Sequence, residues 1–209
     1  MVRATRRFVA GIGFFCFFLP ALADDNASGS NILSPGDTIA PLKQTTKGRS
    51  NVLAETGDFG GISGNDEQVA SAIDGDLGTK YFNKAQNDDG SAGIDTGFVV
   101  TPHLGATVVT GVQFGTANDM PDRDPLAITL EGSNAPDADK AKGKGFTLIY
   151  KGPSGLTKDP GRNTLGQVIA FANTQSYKTY RVLITQVRGG ANADATQYSE
   201  VKLIGVMGQ

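Results

Sequence analysis

A short loop around residue 75 carries oxygen-bearing side chains at a spacing that suits a hard cation. Asp74, Asp76 and Thr79 place three side-chain oxygen groups within six residues. Gly75 and Gly78 allow the backbone between them to curl, so that the oxygens can converge. Calcium binds about six to eight oxygens from carboxylates, hydroxyls and carbonyls. The residues alone leave two alternatives, a calcium loop or a solvated Asp-Gly turn.

A second polar loop, residues 117–125, has side chains that suit a sugar site. Such sites need fixed hydrogen-bonding groups, and an arginine held by carboxylates presents a planar fork of donors to neighbouring hydroxyls. We therefore predict three ligand-binding residues in this loop: Asn118, Asp119 and Arg123. The alternative is that Arg123 pairs with Asp122 or Asp124 and only braces the loop.

Patterns of catalytic residues are sparse in this sequence. His103 is the only histidine, and its place in a Pro-Gly turn indicates an exposed residue. There is no Gly-x-Ser-x-Gly elbow, no His-Glu-x-x-His motif and no phosphate-binding loop. Counting residues does not exclude a Ser-His-Asp triad. We predict a protein that binds a ligand and is not an enzyme, and an unrecognised hydrolase is the last of the alternatives.

The N-terminus has the three parts of a secretory signal peptide. Arg3, Arg6 and Arg7 form a basic start, residues 8–22 form an apolar run, and Ala21-Leu22-Ala23 offers small residues for cleavage. We predict a signal peptide at residues 1–23 and a secreted or periplasmic protein without membrane insertion after cleavage. The apolar run is short for a membrane span, although an uncleaved anchor is the alternative.

Composition narrows the partners of the mature chain. Without the three signal-peptide arginines, 16 lysines and arginines face 21 acidic residues, which gives a net charge of −5. A mildly acidic protein without basic runs has no electrostatic footprint for nucleic acid or anionic membranes. The only cysteine, Cys16, lies in the predicted signal peptide, so the mature chain can form no disulfide. We expect a monomer.

The pattern of apolar residues after residue 51 is typical of β-strands. Residues 24–50 are polar with scattered apolar positions, and we predict a flexible lead-in there. Beyond it, short runs of β-branched or alternating apolar residues are separated by Gly, Asn, Asp and Pro. Seven or eight strands of this kind predict an all-β antiparallel sandwich or jelly roll. The predicted strands are 97–101, 107–116, 126–133, 146–150, 168–171, 180–184 and 201–206.

Three passages together resemble one known family. They are AIDGDLGTKY at residues 72–81, DPLAITLEGSN at 124–134 with FTLI at 146–149, and YRVLI at 180–184 followed by YSEVKL at 198–203. Their order and spacing resemble the discoidin, or coagulation factor 5/8 type C, domain, whose bacterial members include the family 32 carbohydrate-binding modules. The resemblance covers residues 51–209.

The resemblance implies a galactose-binding-domain-like jelly-roll sandwich of about eight strands, with a structural calcium ion and a ligand site in the loops. In that family the calcium loop is joined by a glutamate from the last strand, which Glu200 matches. The implied calcium ligands are the side chains of Asp74, Asp76, Thr79 and Glu200 with the main-chain carbonyls of Ser71 and Ser199. The implied partner is a carbohydrate or cell-surface glycan. An adhesion or assembly protein that binds another protein through the same sandwich is the second alternative.

One feature of the sugar-binding members is missing from this sequence. Their sites usually include an exposed aromatic ring, often tryptophan, and this chain has no tryptophan. Aromatic rings stack on the apolar face of a sugar, so a substitute would be needed. The possible substitutes, each of which could equally belong to the core, are Phe59, Tyr81, Tyr177 and Tyr198.

Overall fold

The structure is a computed structural model that describes residues 29–43, 52–53, 67–84, 93–140 and 143–208. These residues form twelve strands, one short α-helix, α1 (Asp137–Lys140), and 3-10 helices at Val69–Ala72, Pro121–Arg123 and Gly190–Asn192. The strands are β1 (Ser30–Asn31), β2 (Thr38–Lys43), β3 (Val52–Leu53), β4 (Tyr81–Asn83), β5 (Gly97–Thr101), β6 (Thr107–Gly115), β7 (Pro125–Ser133), β8 (Thr147–Pro153), β9 (Ile169–Ala170), β10 (Thr179–Val187), β11 (Thr196–Tyr198) and β12 (Glu200–Met207).

The strands build an antiparallel sandwich, which confirms the predicted fold class. One sheet has the order β1-β12-β6-β9 and the other has the order β3-β2-β5-β10-β7-β8. A two-stranded sheet, β11-β4, lies apart from them in the hydrogen-bonding pattern. The described residues contain more strands than the eight expected, because several strands have only two or three residues and leave no alternating pattern in the sequence.

The core consists of the alternate residues that face inward from both sheets. Val112 and Leu203 from the four-stranded sheet and Val100, Val182 and Leu130 from the six-stranded sheet are all completely buried. Side chains on alternate positions of a strand point to opposite faces, so the period of two in the sequence predicted this burial. The five central strands, β5, β6, β7, β10 and β12, lie within a few residues of their predicted bounds.

Strand β8 departs from its predicted pattern. The apolar residues Phe146, Leu148 and Tyr150 alternate along the predicted strand 146–150, a pattern that predicts one half-buried face, but Leu148 is 55% exposed. The strand is at the edge of its sheet, and the register shifts between Leu130 and Glu131 of the neighbouring strand. A β-bulge adds a residue on one side and changes the face to which the following side chains point.

The predicted flexible lead-in at residues 24–50 is wrong for the part that the structure describes. Strand β2 pairs with β5, placing Ala40 opposite Val99, and β1 pairs with β12. Ile32 and Leu42 are 3% and 2% exposed. The apolar residues of this stretch are too few and too irregular to show a strand period, yet they cover the edges of both sheets. The sandwich therefore includes residues before residue 51.

The predicted signal peptide, residues 1–23, lies outside the described residues, as does Phe59. Within the described ranges, no helix has the length and apolar character needed to cross a membrane.

Candidate functional site

The loop between β6 and β7 stands at one end of the sandwich, and its backbone conformation is unusual. Met120 has a φ of 41°, in the left-handed region, and precedes the 3-10 helix Pro121–Arg123. Few residues other than glycine adopt this conformation, so surrounding contacts must hold it. The Met120 side chain is 49% exposed and lies on the surface of this loop.

Gln197, a fully buried residue of β11, holds the loop in this conformation. Its Nε2 donates to the carbonyl oxygen of Asp119 at 2.6 Å, to Oδ1 of Asp119 at 2.9 Å and to the carbonyl oxygen of Met120 at 3.4 Å. Oε1 of Gln197 is buried and has no hydrogen-bond partner among the described residues. Buried amide groups normally form hydrogen bonds through both the oxygen and the nitrogen. Among the described residues only Nε2 of Gln197 does so, and this group holds the loop.

Lys80 joins two of the predicted ligand-binding residues. Its ammonium group donates to Oδ1 of Asn118 and to Oδ1 of Asp119, each at 3.0 Å, and lies 3.6 Å from Glu67. Partial burial alone raises the pKa of Asp119, but the hydrogen bonds from Lys80 and Gln197 outweigh it and the pKa is lower than usual. Asp119 is therefore ionised at neutral pH, and its side chain is half exposed.

Arg123 pairs with a residue that the sequence did not indicate. Its Nε and Nη2 donate to the two carboxylate oxygens of Asp194 at 2.7 and 3.0 Å, and its guanidinium lies 5.1 Å from the centre of the Phe82 ring. The hydrogen bond from Arg123 holds the pKa of Asp194 below its usual value. The alternative pairing of Arg123 with Asp122 or Asp124 is wrong. Asp194 therefore orients the guanidinium through Nε and Nη2, while Nη1 of Arg123 donates to no described residue.

Asp124 was unavailable to Arg123 because other arginines bind it. Its side chain is fully buried and accepts hydrogen bonds from Nη1 and Nη2 of Arg162 at 2.8 and 2.7 Å. Nε of Arg188 lies 3.4 Å from the same carboxylate. Arg162 also donates to the carbonyl oxygen of Asp119 at 3.3 Å. This group ties the start of β7 to the ligand loop.

The predicted aromatic substitutes do not supply an exposed ring at this loop. Tyr81 and Tyr198 are completely buried, and their rings meet edge to face at 5.5 Å. Tyr177 is half-buried and packs against Tyr180 at 6.4 Å. Phe82 is 4% exposed. Met120 is therefore the exposed apolar side chain at the described loop.

The Asp74 loop is a compact turn built on its own carboxylates. Oδ1 of Asp74 accepts from the Asp76 N–H at 2.8 Å, and Oδ2 accepts from the Thr79 hydroxyl at 2.7 Å. Oδ1 of Asp76 accepts from the Gly78 N–H at 2.7 Å. From β12, Oε1 of Glu200 accepts from the Gly75 N–H at 2.5 Å. Glu200 thus joins the loop across the fold, as the resemblance implies.

The carboxylates at this loop meet some of the requirements of a site for a hard cation. Glu200 is 3% exposed, and burial together with the neighbouring Asp74 carboxylate raises its pKa to about 7. Among the described residues, no lysine or arginine forms an ion pair with Asp74, Asp76 or Glu200. Oγ of Ser199 is buried without a hydrogen-bond partner. Two carboxylates, a hydroxyl and nearby carbonyls are the donor set that calcium prefers.

The predicted convergence of three carboxylates does not form in this part of the chain. No group of three or more His, Cys, Asp or Glu side chains is arranged to hold a metal within the described ranges. The structure brings Asp74 and Glu200 together, whereas the Asp76 carboxylate caps Gly78. The calcium ligands, including the carbonyls of Ser71 and Ser199, stay a prediction.

His103 belongs to a turn brace. Its Nδ1 lies 2.7 Å from Oδ1 of Asp37 and 3.1 Å from Oγ of Ser34. In a catalytic triad the serine and the aspartate contact opposite ring nitrogens, so these three residues lack that arrangement. The side chain of His103 is 58% exposed, as predicted for a turn residue.

The residues that sequence reasoning missed lie far from the loop in the chain. Asp194 is 71 residues from Arg123, Gln197 is 78 residues from Asp119, and Lys80 is 39 residues before Asp119. No local spacing signals such partners. The β11 strand that carries Gln197 has three residues, which is too short for a pattern.

No family model matches the sequence, and no curated protein sequence matches it. Solved structures do resemble the fold. A family 32 carbohydrate-binding module from C. perfringens NanJ in complex with galactose aligns with a TM-score of 0.52 and 14% identity, covering 83% of this chain and 97% of that one. A chitosan-binding module from a Paenibacillus sp. IK-5 chitosanase/glucanase gives 0.51 and 17%, covering 85% and 99%. A module from a Clostridium perfringens family 31 glycoside hydrolase gives 0.52 and 14%, covering 68% and 85%. The chain therefore shares the fold of the family 32 carbohydrate-binding modules, as the resemblance in its sequence predicted.

Proposed function

We propose that this protein is a secreted, non-catalytic carbohydrate-binding module whose sugar site is the loop from Asn118 to Arg123. One observation carries the proposal. Gln197, Lys80 and Asp194 hold the polar groups of this loop in place, while Nη1 of Arg123 has no hydrogen-bond partner among the described residues. Binding sites with groups fixed in advance lose less entropy when a ligand binds.

Each predicted residue has a distinct role at this site. Arg123 offers Nη1, which donates to no residue that the structure describes, to sugar hydroxyls, with Asp194 and Phe82 setting the plane of the guanidinium. Asn118 accepts from Lys80 through Oδ1, so its Nδ2 group can donate to a ligand. Asp119 supplies a half-exposed carboxylate as acceptor. Vicinal hydroxyls need such a mixture of donors and acceptors.

Met120 provides the apolar contact that an aromatic ring supplies elsewhere. Its side chain is flexible and polarisable, and it is half exposed at the tip of the loop. A thioether covers less of a sugar face than a ring does, so we expect a millimolar dissociation constant, about −4 kcal/mol of binding free energy. One similar structure contains bound galactose and another is a chitosan-binding module, so galactose and glucosamine oligomers are the first sugars to test.

The Asp74 loop is proposed as a structural calcium site. Asp74 and Glu200 would supply carboxylate oxygens and Thr79 a hydroxyl, with the carbonyls of Ser71 and Ser199 completing the shell. The support is the close approach of the Asp74 and Glu200 carboxylates, which form no ion pair with a described lysine or arginine, together with the burial of Glu200. A bound cation would neutralise this pair and fix β12 to the loop after the 3-10 helix Val69–Ala72.

Calorimetric titration tests the sugar site. Galactose, N-acetylgalactosamine and glucosamine oligomers are added in turn to the calcium-loaded protein and to its Arg123→Ala variant. We expect saturable heat with at least one sugar and its loss in the variant. Lys151→Met, an exposed residue of β8, is the matched control. Binding that is equal in wild type and Arg123→Ala would contradict the assignment of the loop.

A further inference from the structure

The outer face of the six-stranded sheet carries a row of threonines across three strands. Thr38 of β2 lies opposite Thr101 of β5, and the hydroxyls of Thr101 and Thr179 of β10 are 2.9 Å apart. The neighbouring residues Val100 and Tyr180 are completely buried in the core. Since successive side chains of a strand alternate between faces, the threonines point away from the core.

A cavity of about 280 Å³ lies above this row. Its floor includes Ala40 and Val99, which face each other in the register of β2 and β5. Its wall comes from α1, where Lys140 donates to Oγ1 of Thr179 at 2.9 Å and pairs with Asp137 at 2.8 Å. The small side chain of Ala40 leaves the hollow that α1 overhangs. A cavity near the lower limit of ligand sites suits one small ring.

The polar groups of the cavity indicate the class of ligand. Lys140 is 12% exposed and fixed in the wall, whereas Asp137 is 98% exposed at the rim. Their charges cancel, as do those of the neighbouring pair Arg181 and Glu131 on the same sheet face. The cavity therefore favours no net charge on its ligand, yet it offers ammonium donors, hydroxyls and a carboxylate acceptor.

Hydrogen-bond directions in the threonine row leave a donor for the ligand. Thr179 accepts from Lys140, so its own hydroxyl hydrogen can reach Thr101. Thr101 then has its hydroxyl hydrogen available for an acceptor in the cavity. The aliphatic floor of Ala40 and Val99 suits the C–H face of a sugar ring, while the hydroxyls of that ring meet Thr101, Lys140 and Asp137.

We propose that this cavity is a second binding site, for one unit of a neutral saccharide. It is separate from the loop of Asn118 and Arg123. Thr179 begins β10, and Val187, at the other end, pairs with Pro125 beside that loop. Between these residues β10 is about 26 Å long, from a rise of about 3.3 Å for each residue, so the two sites lie toward opposite ends of this strand. Two sites on one module would bind a polysaccharide chain by avidity.

Backbone NMR titration of the full chain tests this site independently of the loop. Glucose, galactose, N-acetylgalactosamine and glucuronic acid are added up to high millimolar concentration. With a neutral sugar we expect saturable shifts of the amides of Thr38, Ala40, Val99, Thr101 and Thr179. Ala40→Leu fills the cavity from its floor, on the face of the sheet away from the core, and should weaken the affinity reported by these shifts at least tenfold. Lys140→Met should weaken them as well, and Lys151→Met should not.

The outcomes separate the two sites. Shifts confined to residues 117–125 would overturn the second site and leave the loop proposal intact. Shifts confined to the cavity would support the second site and contradict the loop proposal. Cavity shifts that persist in both Ala40→Leu and Lys140→Met would overturn the assignment, as would a stronger response to glucuronic acid than to glucose. No shift with any neutral sugar contradicts it outright.

Discussion

Arg162 and Asp124, which are 38 residues apart in the sequence, form a two-hydrogen-bond ion pair whose carboxylate is completely buried. Arg188 approaches the same carboxylate. The pair holds the start of β7 beside the ligand loop, since Arg162 also binds the Asp119 carbonyl oxygen. Because two arginines share the Asp124 carboxylate, we expect its removal to destabilise the fold more than the removal of either arginine.

Asp124→Asn should therefore lower the free energy of unfolding by about 3 kcal/mol, because Arg162 and Arg188 lose their shared buried counter-charge and only Arg162 keeps another ion-pair partner, Asp159 at 2.7 Å. Urea unfolding followed by circular dichroism measures the change. Asp122→Asn, two residues earlier and exposed, is the matched control and should stay within about 0.5 kcal/mol of wild type. Equal effects of the two substitutions would show that the pair contributes little.

Gln197→Glu should loosen the ligand loop. The new carboxylate would face the Asp119 carboxylate and two carbonyl oxygens in place of an N–H donor. We expect a loss of about 1–3 kcal/mol in the free energy of unfolding and at least tenfold weaker sugar binding. Gln186→Glu, on the exposed face of β10, is the control and should change neither. Unaltered sugar affinity in Gln197→Glu would mean that the loop does not form the site.

Arg123→Lys tests whether the planar fork matters. Lysine keeps the charge but loses the paired donors that Asp194 orients, so we expect a loss of sugar binding of at least tenfold with an unchanged far-UV spectrum. Asp194→Asn should weaken binding less, since it frees the guanidinium without removing it. If Arg123→Lys and Arg123→Ala both unfold the protein, Arg123 is a structural brace.

Calcium should raise the melting temperature. At a concentration 100 times the dissociation constant, binding adds about 2.7 kcal/mol to the free energy of unfolding, roughly 5–11 °C for a domain of this size. Glu200→Gln and Asp74→Asn should each lose most of this shift, whereas Asp122→Asn should keep it. Asp76→Ala should lower the melting temperature even in chelator, because its carboxylate caps Gly78. If neither calcium nor chelator changes the melting temperature, the Asp74 loop is only a turn and not a calcium site.

Asp37 should make part of the stability dependent on pH. Its burial alone raises the pKa, but hydrogen bonds from His103 and Ser34 outweigh this and lower the pKa from 3.8. The contribution of Asp37 is thus complete above about pH 3.8 and is lost as pH falls through the lower, folded value. Asp37→Asn should be less stable than wild type by about 1–3 kcal/mol at neutral pH. The difference should shrink in strong acid, and a constant difference would exclude the ionised carboxylate as its cause.

The central strands could be predicted from the sequence because buried and outward-facing residues alternate along them. In β7, Ile128 and Leu130 alternate with outward residues, and both are completely buried. It could not predict β1 and β2, because the partners of Ile39 and Ala40 lie in β5, about sixty residues later, and no local period marks them. A strand that is held by distant partners leaves little trace in its own composition.

For the candidate sites, the sequence could predict the residue types but not the contacts that orient them. Asn118, Asp119 and Arg123 share one loop, so their residue types alone indicated polar recognition. Their orientation depends on Asp194 and Gln197, which only the folded chain brings near. For the Asp74 loop, the resemblance led correctly to the approach of Glu200, whereas the turn bonding of Asp76 was not visible in the spacing.

A glycan array probed with the calcium-loaded protein and with Arg123→Ala in parallel tests the central claim most directly. We predict that wild type binds a restricted set of glycans and that Arg123→Ala, folded by circular dichroism, binds none of that set. Wild-type protein that binds no glycan, or a variant that retains the same glycans with the same signal, would contradict the claim that this loop recognises carbohydrate.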